Sequence, residues 1–558
     1  MKKRNIIAAS AMLALAVLGG STLTSCTGNF EDLNTNKTQV DPNTLPLAAQ
    51  CATPMNYCYP PQQNRFQFWT NLTIDLYGGY FETPHNNFTN ADMGENRGHS
   101  GGMYEVYYLY VFNNTRRIIA NCDENNQEGI AGTMRIVQVL GTMAATDAYG
   151  PLAYSSVINP VSDAEYAFDS QQKIYESMLD DLDKAISGLN SMDDVQKATL
   201  ATYDTWGAGD PAVWVKIANT LKLRIALRLE KRMDEMKADG YDLKAIAAAA
   251  AQNTLATYGK DIVIKDQSNE LKRMFDWQDC AMNANLVTLM EGMNDPRLPL
   301  YMTKNTEDIT NEKGVVTPAG TKYCGVRFAS DMPQKGSAGS YGYKMSQWVG
   351  DYATPLPIFK AAESYFLLAE AALRGWISGD PQSYYEQGIR LSIANEVAYK
   401  GSYVGIDKIS DADITAYING TTGQADLVDP GNTSRNAKAV NTLSVKWDNA
   451  ASNEDKLARI QTQKYIALFP LSNEAWAEQR RTGYPKFFTA QVNKSNGAVD
   501  TEEGVRRVIY SSNAYSTNAN GVAGGIEILN KENTSKKGIN GDKGGTHVWW
   551  DNANKGNF

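Results

Sequence analysis

The sequence predicts a mainly α-helical fold, in which tetratricopeptide-like helical pairs form a scaffold that is interrupted by an irregular, loop-rich lobe. Three observations carry this expectation. Apolar residues recur at helical spacing in several separate blocks. Two of these blocks are joined by a turn so short that they must form an αα-hairpin. Between the blocks lie long stretches rich in Gly, Asn, Ser and Tyr, and loops of that length in a compact protein are functional or carry short sheets.

The chain opens on a targeting segment. Lys2, Lys3 and Arg4 form a positive n-region, and Ile6 to Leu18 form an apolar h-region of about a dozen residues, too short to span a bilayer. Leu23, Thr24, Ser25 and Cys26 resemble a lipobox with Cys26 as the lipidated residue. Residues 1–25 are therefore expected to be a lipoprotein signal. A thiol at the new N-terminus can be thioether-linked to diacylglycerol, and several acyl chains on one residue anchor better than one. Residues 26–45 are polar and turn-rich and read as a tether, and 46–558 as the folded part.

Within that part, Tyr175, Met178, Leu179, Leu182, Ile186 and Leu189 fall on one helix face. Trp214, Ile217, Leu221 and Ile225 do the same after Asp210-Pro211, a helix start signal. Lys244 to Ala256 is alanine-rich and helical by propensity. Ile358 to Trp376 reads as an amphipathic helix, followed by Tyr384 to Val397 after the Gly379-Asp380-Pro381 turn. The segment from Ala361 to Ile393 has the small–large pattern of a degenerate tetratricopeptide repeat. The scaffold is expected over about 60–256, 357–400 and 453–484, and the lobe over about 257–356, 401–452 and 485–558.

Composition narrows the function. The 558 residues are enough for a large core, and 42% hydrophobic and 21% charged residues are ordinary for a globular protein. A net charge of −9 argues against nucleic acid as a partner, because phosphate binding needs a basic surface. After Cys26 there remain Cys51, Cys58, Cys122, Cys280 and Cys324, an odd number without zinc-ribbon spacing. Cys51 and Cys58 are close enough in sequence to pair.

No motif supports catalysis in context. Gly98-His99-Ser100-Gly101-Gly102 matches G-x-S-x-G, but that elbow needs a buried strand before it, and TNADMGENR is polar and turn-like. Only three histidines occur, His85, His99 and His547, and no H-E-x-x-H. Asp123 to Gly129 superficially resembles a calcium loop, but its Gly falls one position late and the closing Glu is missing. The expectation is no catalytic residue, no metal and no cofactor, although paired carboxylates for glycoside hydrolysis are a tertiary matter that sequence leaves open.

The positive signal is aromatic and amide clustering in the loops. It centres on Tyr80, His85 and Asn87 within 77–104, Trp277 within 275–285, and Tyr341 and Trp348 within 341–352. Sugars present apolar C–H faces and hydroxyl rims, so a site for them wants a flat ring beside amide or charged forks. These six residues are the expected ligand-binding set. The competing reading, that such rings pack loops onto helices, stays open for each of them taken singly.

Several stretches in order along the chain resemble the SusD/RagB family of outer-membrane nutrient-binding lipoproteins, in its SusD-like branch. They are GNFEDLNTN, AATDAYGPLAYSS (144–156), WVKIANTLKLRIALRL (214–229), MNDPRLPLYM (293–302), AESYFLLAEAALRGW (362–376), IQTQKYIALFPLSNEAWAEQRRTGYPKF (460–487) and the terminal THVWWDNANKGNF. The resemblance implies a helical scaffold with a loop-rich ligand-binding lobe, tethered by its lipid to the outer membrane at the cell surface. It implies a hinged lid over a SusC-like TonB-dependent transporter, and non-catalytic binding of oligosaccharides or, in some members, peptides. A surface glycoside hydrolase is the alternative from the enzyme class. Arg480, Arg481, Gly483, Tyr484 and Pro485 match the strongest motif, which reads as structural, with Arg481 paired to a carboxylate or capping a helix. The Gly/Asn-rich stretch 511–545 is longer than a minimal member needs.

Overall fold

Helical periodicity in the sequence becomes packing in the computed structural model, which describes residues 45–58, 63–160, 166–337 and 339–558. The expected signal, Cys26 and nearly all of the tether lie outside the described residues. Residues 51–558 form one compact unit; in the preceding unit, the Gln50 side chain donates to the Leu45 carbonyl at 2.9 Å. With 53% helix and 5% strand the fold is mainly α.

Helix α1 (Glu128–Tyr149) packs on α2 (Gln171–Asn190), which packs on α3 (Pro211–Arg228), which carries α4 (Leu243–Ala250). Ser170 caps α2 by accepting from the Lys173 N–H at 3.2 Å, and Asp210 caps α3 by accepting from Ala212 at 2.8 Å, with Pro211 in the first turn. The expected face of α2 is buried, with Ile186 at its half-buried margin. Helix α3 is buried nearly all round, Val213, Leu223 and Leu227 included, so it is a central helix rather than an amphipathic one.

The second helical group is the hairpin of α5 (Ala361–Leu373) and α6 (Pro381–Val404). Helix α7 (Asn453–Leu468) packs on both, and α8 (Ser472–Thr482) packs on α7 and α1, closing the scaffold. Asp380 caps α6 through the Gln382 and Ser383 amides at 3.3 and 3.1 Å, and Gly405, at φ +68°, ends it two turns beyond the expected Val397.

Three expectations are corrected. The alanine-rich helix stops at Ala250, because the chain turns so that the Leu255 N–H can reach Thr220 Oγ1 at 3.0 Å on α3. Ile358 and Phe359 belong to a strand, β6 (Leu356–Phe359), paired with β2 (Ile262–Ile264); α5 starts only at Ala361, whose N–H is capped by Asp261 at 2.8 Å. Within the Gly/Asn-rich stretch, Ala519–Glu532 is helical. Its glycines permit close approach: a Cβ at Gly525 would stand 2.5 Å from the Phe168 ring, and one at Gly521 would stand 2.3 Å from the Tyr166 carbonyl.

The loop-rich stretches carry two further two-stranded antiparallel sheets, β1 (Phe81–Glu82) with β3 (Ala281–Met282) and β4 (Ile309–Thr310) with β5 (Val316–Thr317). Cys51 and Cys58 are free thiols and do not pair.

A buried ion network joins the scaffold. Arg228 on α3 reaches Asp147 of α1 and both Glu474 and Glu478 of α8. Arg224 is bonded to Glu363 of α5, and Lys464 of α7 lies 3.1 Å from Glu478. Arg481 meets Glu370 through two bonds of 2.8 and 2.7 Å and also holds Glu478 at 2.7 Å. Arg481 is thus paired with carboxylates as expected. Arg480 instead lies over the Trp476 ring at 3.6 Å and donates to the Asp147 and Arg506 carbonyls. Burying such charges is costly, so each one is tolerable only because its partners are in place.

Candidate functional site

Three loops of the irregular lobe meet around Tyr341. The first is the β4–β5 hairpin, whose tip is shaped by Asn311: its Oδ1 accepts from the Lys313 and Val315 amides at 3.0 and 2.9 Å, and Gly314 takes φ +75°. The second is 331–344. The third is 429–435, where Asp429 Oδ1 accepts from the Gly431 and Asn432 amides at 2.8 and 2.9 Å.

Side chains tie these loops together. Tyr341 donates to Asp429 Oδ1 at 2.7 Å, and the Arg435 guanidinium donates both to the Tyr341 hydroxyl and to the Asp331 carbonyl. Glu312 at the hairpin tip accepts from the Thr433 N–H at 3.1 Å and from its hydroxyl. The Tyr341 ring lies so close over Gly431 that a Cβ there would stand 2.3 Å from it. Burial, with Asp429 beside it, pushes the Tyr341 phenol well up, so it stays a donor.

The loops enclose a cleft of about 690 Å³. Tyr341, Ile309, Met332 and Pro333 supply its apolar surface, and Asn86, Asn311 and Asn432 its amides. Asp308, Glu312, Asp331, Lys344 and Arg435 supply its charges. Asn311 and Asn432 spend their side-chain oxygens on local turns, while their Nδ2 groups donate to no protein atom among the described residues. The cleft therefore offers a fixed aromatic ring beside unspent amide donors. Such an arrangement suits polyhydroxylated molecules, whose C–H faces pack on a ring and whose hydroxyls accept from amides.

The six expected ligand residues separate into three sets. Tyr341 lines the cleft. His85, Asn87 and Trp277 gather beside it around Asp279 and Lys335. His85 Nε2 bonds Asp279 at 2.9 Å, and its Nδ1 accepts the Asn87 N–H at 3.3 Å, which places the ring proton on Nε2. Lys335 donates to Asp279 and to the Trp277 carbonyl, both at 2.7 Å. Although burial would raise the Asp279 carboxyl, the hydrogen bonds from His85 and Lys335 hold it below its usual range. This cluster pins the 331–344 loop; Asn86, the neighbour of His85, is the residue that reaches the cleft.

Tyr80 and Trp348 are core residues, a correction to the expected set. Tyr80 is fully buried, its hydroxyl bonded to the Tyr465 carbonyl and its ring 4.6 Å from that of Tyr465. Trp348 is 6% exposed, with Lys400 over its ring at 5.5 Å. Both face the α6–α7 side of the fold, where the demand for large apolar volume recruits them. Sequence reasoning missed Asn311, Glu312, Asn432 and Arg435. The turn chemistry of DPGNTSR and NEKG was the available signal, but a search for rings passes over it.

Ser100 does not form a nucleophile elbow: its hydroxyl donates to the Arg97 carbonyl at 3.0 Å, and the His99 ring is held by Asn90 at 2.9 Å. A second cavity, of about 120 Å³, lies among scaffold residues including Trp69, Leu140, Met143 and Ile358. On its wall, burial pushes the Asp75 carboxyl up to about 7, and its Oδ2 has no hydrogen-bond partner. No described helix is long and apolar enough to cross a membrane.

The family model for SusD-like proteins, described as SusD and RagB outer membrane lipoprotein, matches residues 29–551. A chitin-binding SusD homologue from Flavobacterium johnsoniae is 30% identical, with a TM-score of 0.77 over 92% of this chain and 100% of that one. SusD homologues from Bacteroides vulgatus and Bacteroides ovatus are 26% and 27% identical. Their TM-scores are 0.76 and 0.77, covering 92% and 90% of this chain and 98% and 99% of theirs. No curated protein matches the chain.

Proposed function

The chain belongs to the SusD-like family of outer-membrane lipoproteins, and we propose that it captures nutrient oligosaccharides in the Tyr341 cleft and hands them, unaltered, to a SusC-like TonB-dependent transporter. The observation that carries this reading is the Tyr341 ring, locked by Asp429 and Arg435 in a cleft that keeps free amide donors. A sugar stacks its C–H face on the ring, and its hydroxyls take up the Nδ2 groups of Asn311 and Asn432. Such contacts are individually weak, which suits a binder that must release its ligand into a barrel.

A lipid on Cys26, with residues 27–45 as a flexible tether, would hold the binder at high effective concentration over its transporter. The chitin-binding homologue makes chitin oligosaccharides the first ligands to try. Calorimetric titration with chitin, starch and xylan hexasaccharides tests the proposal. Binding that Tyr341→Ala weakens without lowering the melting temperature supports it; a flat response to every glycan refutes it. Sustained release of reducing ends from polysaccharide by the purified protein would point instead to a surface glycoside hydrolase. Cys26→Ala should leave folding intact and move the protein off the membrane. Gentle detergent extraction of the native form should bring down a barrel of TonB-dependent size.

A further inference from the structure

The charges of the cleft are not balanced, and the imbalance has a direction. Lys344 is held by Glu307 at 3.0 Å. Arg435 donates to the Tyr341 hydroxyl and the Asp331 carbonyl, both neutral, and its Nε has no hydrogen-bond partner among the described residues, so it is the one wall cation without an ion pair, and at 4% exposure a buried one. Lys313 sits at the hairpin tip beside Glu312 and is not a wall residue.

The wall acids are exposed. Asp331 is exposed on the wall, and its carboxylate accepts no hydrogen bond among the described residues. Among the described residues, exposed Glu312 is bonded only to the neutral Thr433, and Asp308 only to the Ala319 amide at 2.8 Å. None of the three wall carboxylates is in an ion pair with a described residue. Asp429, directly behind Tyr341, adds a further negative charge. A ligand in the cleft therefore meets amide donors and three exposed wall carboxylates against one unpaired cation, the buried Arg435.

Resting on the reading of the cleft as a glycan site, we infer that it selects uncharged oligosaccharides, with N-acetylated or free-amine sugars accepted, and rejects glycans that carry carboxylate or sulfate groups. The physical reason is like-charge juxtaposition: an anionic sugar seated on Tyr341 would face the exposed carboxylates of Asp331 and Glu312, with only the buried Arg435 of opposite charge, whereas a sugar amine would find a free acceptor in Asp331.

The test is titration calorimetry of the intact folded protein at low and moderate salt. One panel holds neutral and amino hexasaccharides of chitin, chitosan, starch and xylan. The other holds oligogalacturonate, hyaluronan and chondroitin sulfate fragments of matched length. The expected result is that every binder falls in the first panel, with the anionic fragments weaker by at least about tenfold. The charge-swap variant Asp331→Lys, at an exposed wall residue whose carboxylate accepts no hydrogen bond among the described residues, should strengthen oligogalacturonate by about tenfold at low salt. An anionic fragment that binds wild type as tightly as the best neutral one overturns the selectivity and leaves the glycan reading standing. Failure of Asp331→Lys to improve anionic binding also overturns it. A protein that binds neither panel overturns the glycan reading itself, and the selectivity with it.

Discussion

The scaffold network and the Tyr341 cleft use the same parts to opposite ends. Around Arg481, the guanidinium is fully buried and its two carboxylate partners, Glu370 and Glu478, are sealed with it between helices. Around Arg435, the guanidinium is also buried, but it fixes a tyrosine and a loop carbonyl at the edge of an open cleft. The first cluster spends its hydrogen-bonding capacity internally. The second spends just enough to hold Tyr341 still and leaves amides and carboxylates unpaired beside it. An arginine–acid–aromatic cluster is therefore not a site by virtue of its residues; what marks a site is the capacity its neighbours leave unspent.

The sharpest way to break this comparison is to remove the guanidinium from the scaffold. Arg481→Ala removes the bidentate partner of buried Glu370, which keeps Arg374, and one of three cations around Glu478, which keeps Arg228 and Lys464; it should cost about 3 kcal/mol in denaturant unfolding, while the fraction still folded binds glycan as wild type does. A loss of binding at unchanged stability would show that Arg481 belongs to the site after all. Of similar size, Trp348→Ala, Tyr80→Ala and, on α3, Trp214→Ala should each destabilise the fold by roughly 3–5 kcal/mol, because each empties a filled core position. If Tyr80→Ala melts with wild type and fails to bind, its placement in the core is wrong.

The scaffold also predicts a pH dependence. Burial raises the Asp75 carboxyl to about 7, against an ordinary value of 3.8 in the unfolded chain. The Asp75 contribution to stability should therefore fall as pH rises from about 4 to 7, by roughly 1.4 kcal/mol for each unit by which the two values differ. Glu532, pushed up by burial to about 7, acts in the same direction, so the difference between wild type and Asp75→Asn isolates the Asp75 part. Melting curves should show the variant gaining on wild type as pH rises through that window. Parallel pH profiles would mean that Asp75 is ionised in the folded protein.

The smallest expected effect lies in the cleft. Tyr341→Ala should weaken a bound oligosaccharide by roughly 1–3 kcal/mol, on the scale of ring stacking against nucleobases, with little change in melting temperature. Gly431→Ala offers a finer test: a Cβ at 2.3 Å from the ring must displace Tyr341, so it should reproduce part of the same loss with the Tyr341 side chain still present. Normal binding by both variants would move the site elsewhere.

Much of the scaffold was legible because it rests on local signals. The Asp210-Pro211 and Asp380-Pro381 starts mark helix beginnings with chemistry that acts within one turn. The apolar spacing of 175–189 registers a buried face directly. Legibility failed where a partner far along the chain decides the state. Ile358 and Phe359 continue an apolar run that looks helical, but β2, about a hundred residues earlier, takes them as a strand.

Of the aromatic and amide residues that the Gly-rich loops offered as a ligand set, Tyr341 lines the proposed cleft, while Tyr80 and Trp348 lie in the core. Whether a loop aromatic faces ligand or core is settled by what packs on its other side: Phe469 and Tyr465 for Tyr80, Lys400 for Trp348, and the bare backbone of Gly431 for Tyr341. By itself the sequence determined the helical class, the caps and the family motifs, all of which depend on neighbours within a few residues. Only the tertiary structure decided which rings are core and which carboxylates go unpaired, because burial and charge compensation are set by residues that meet across hundreds of positions.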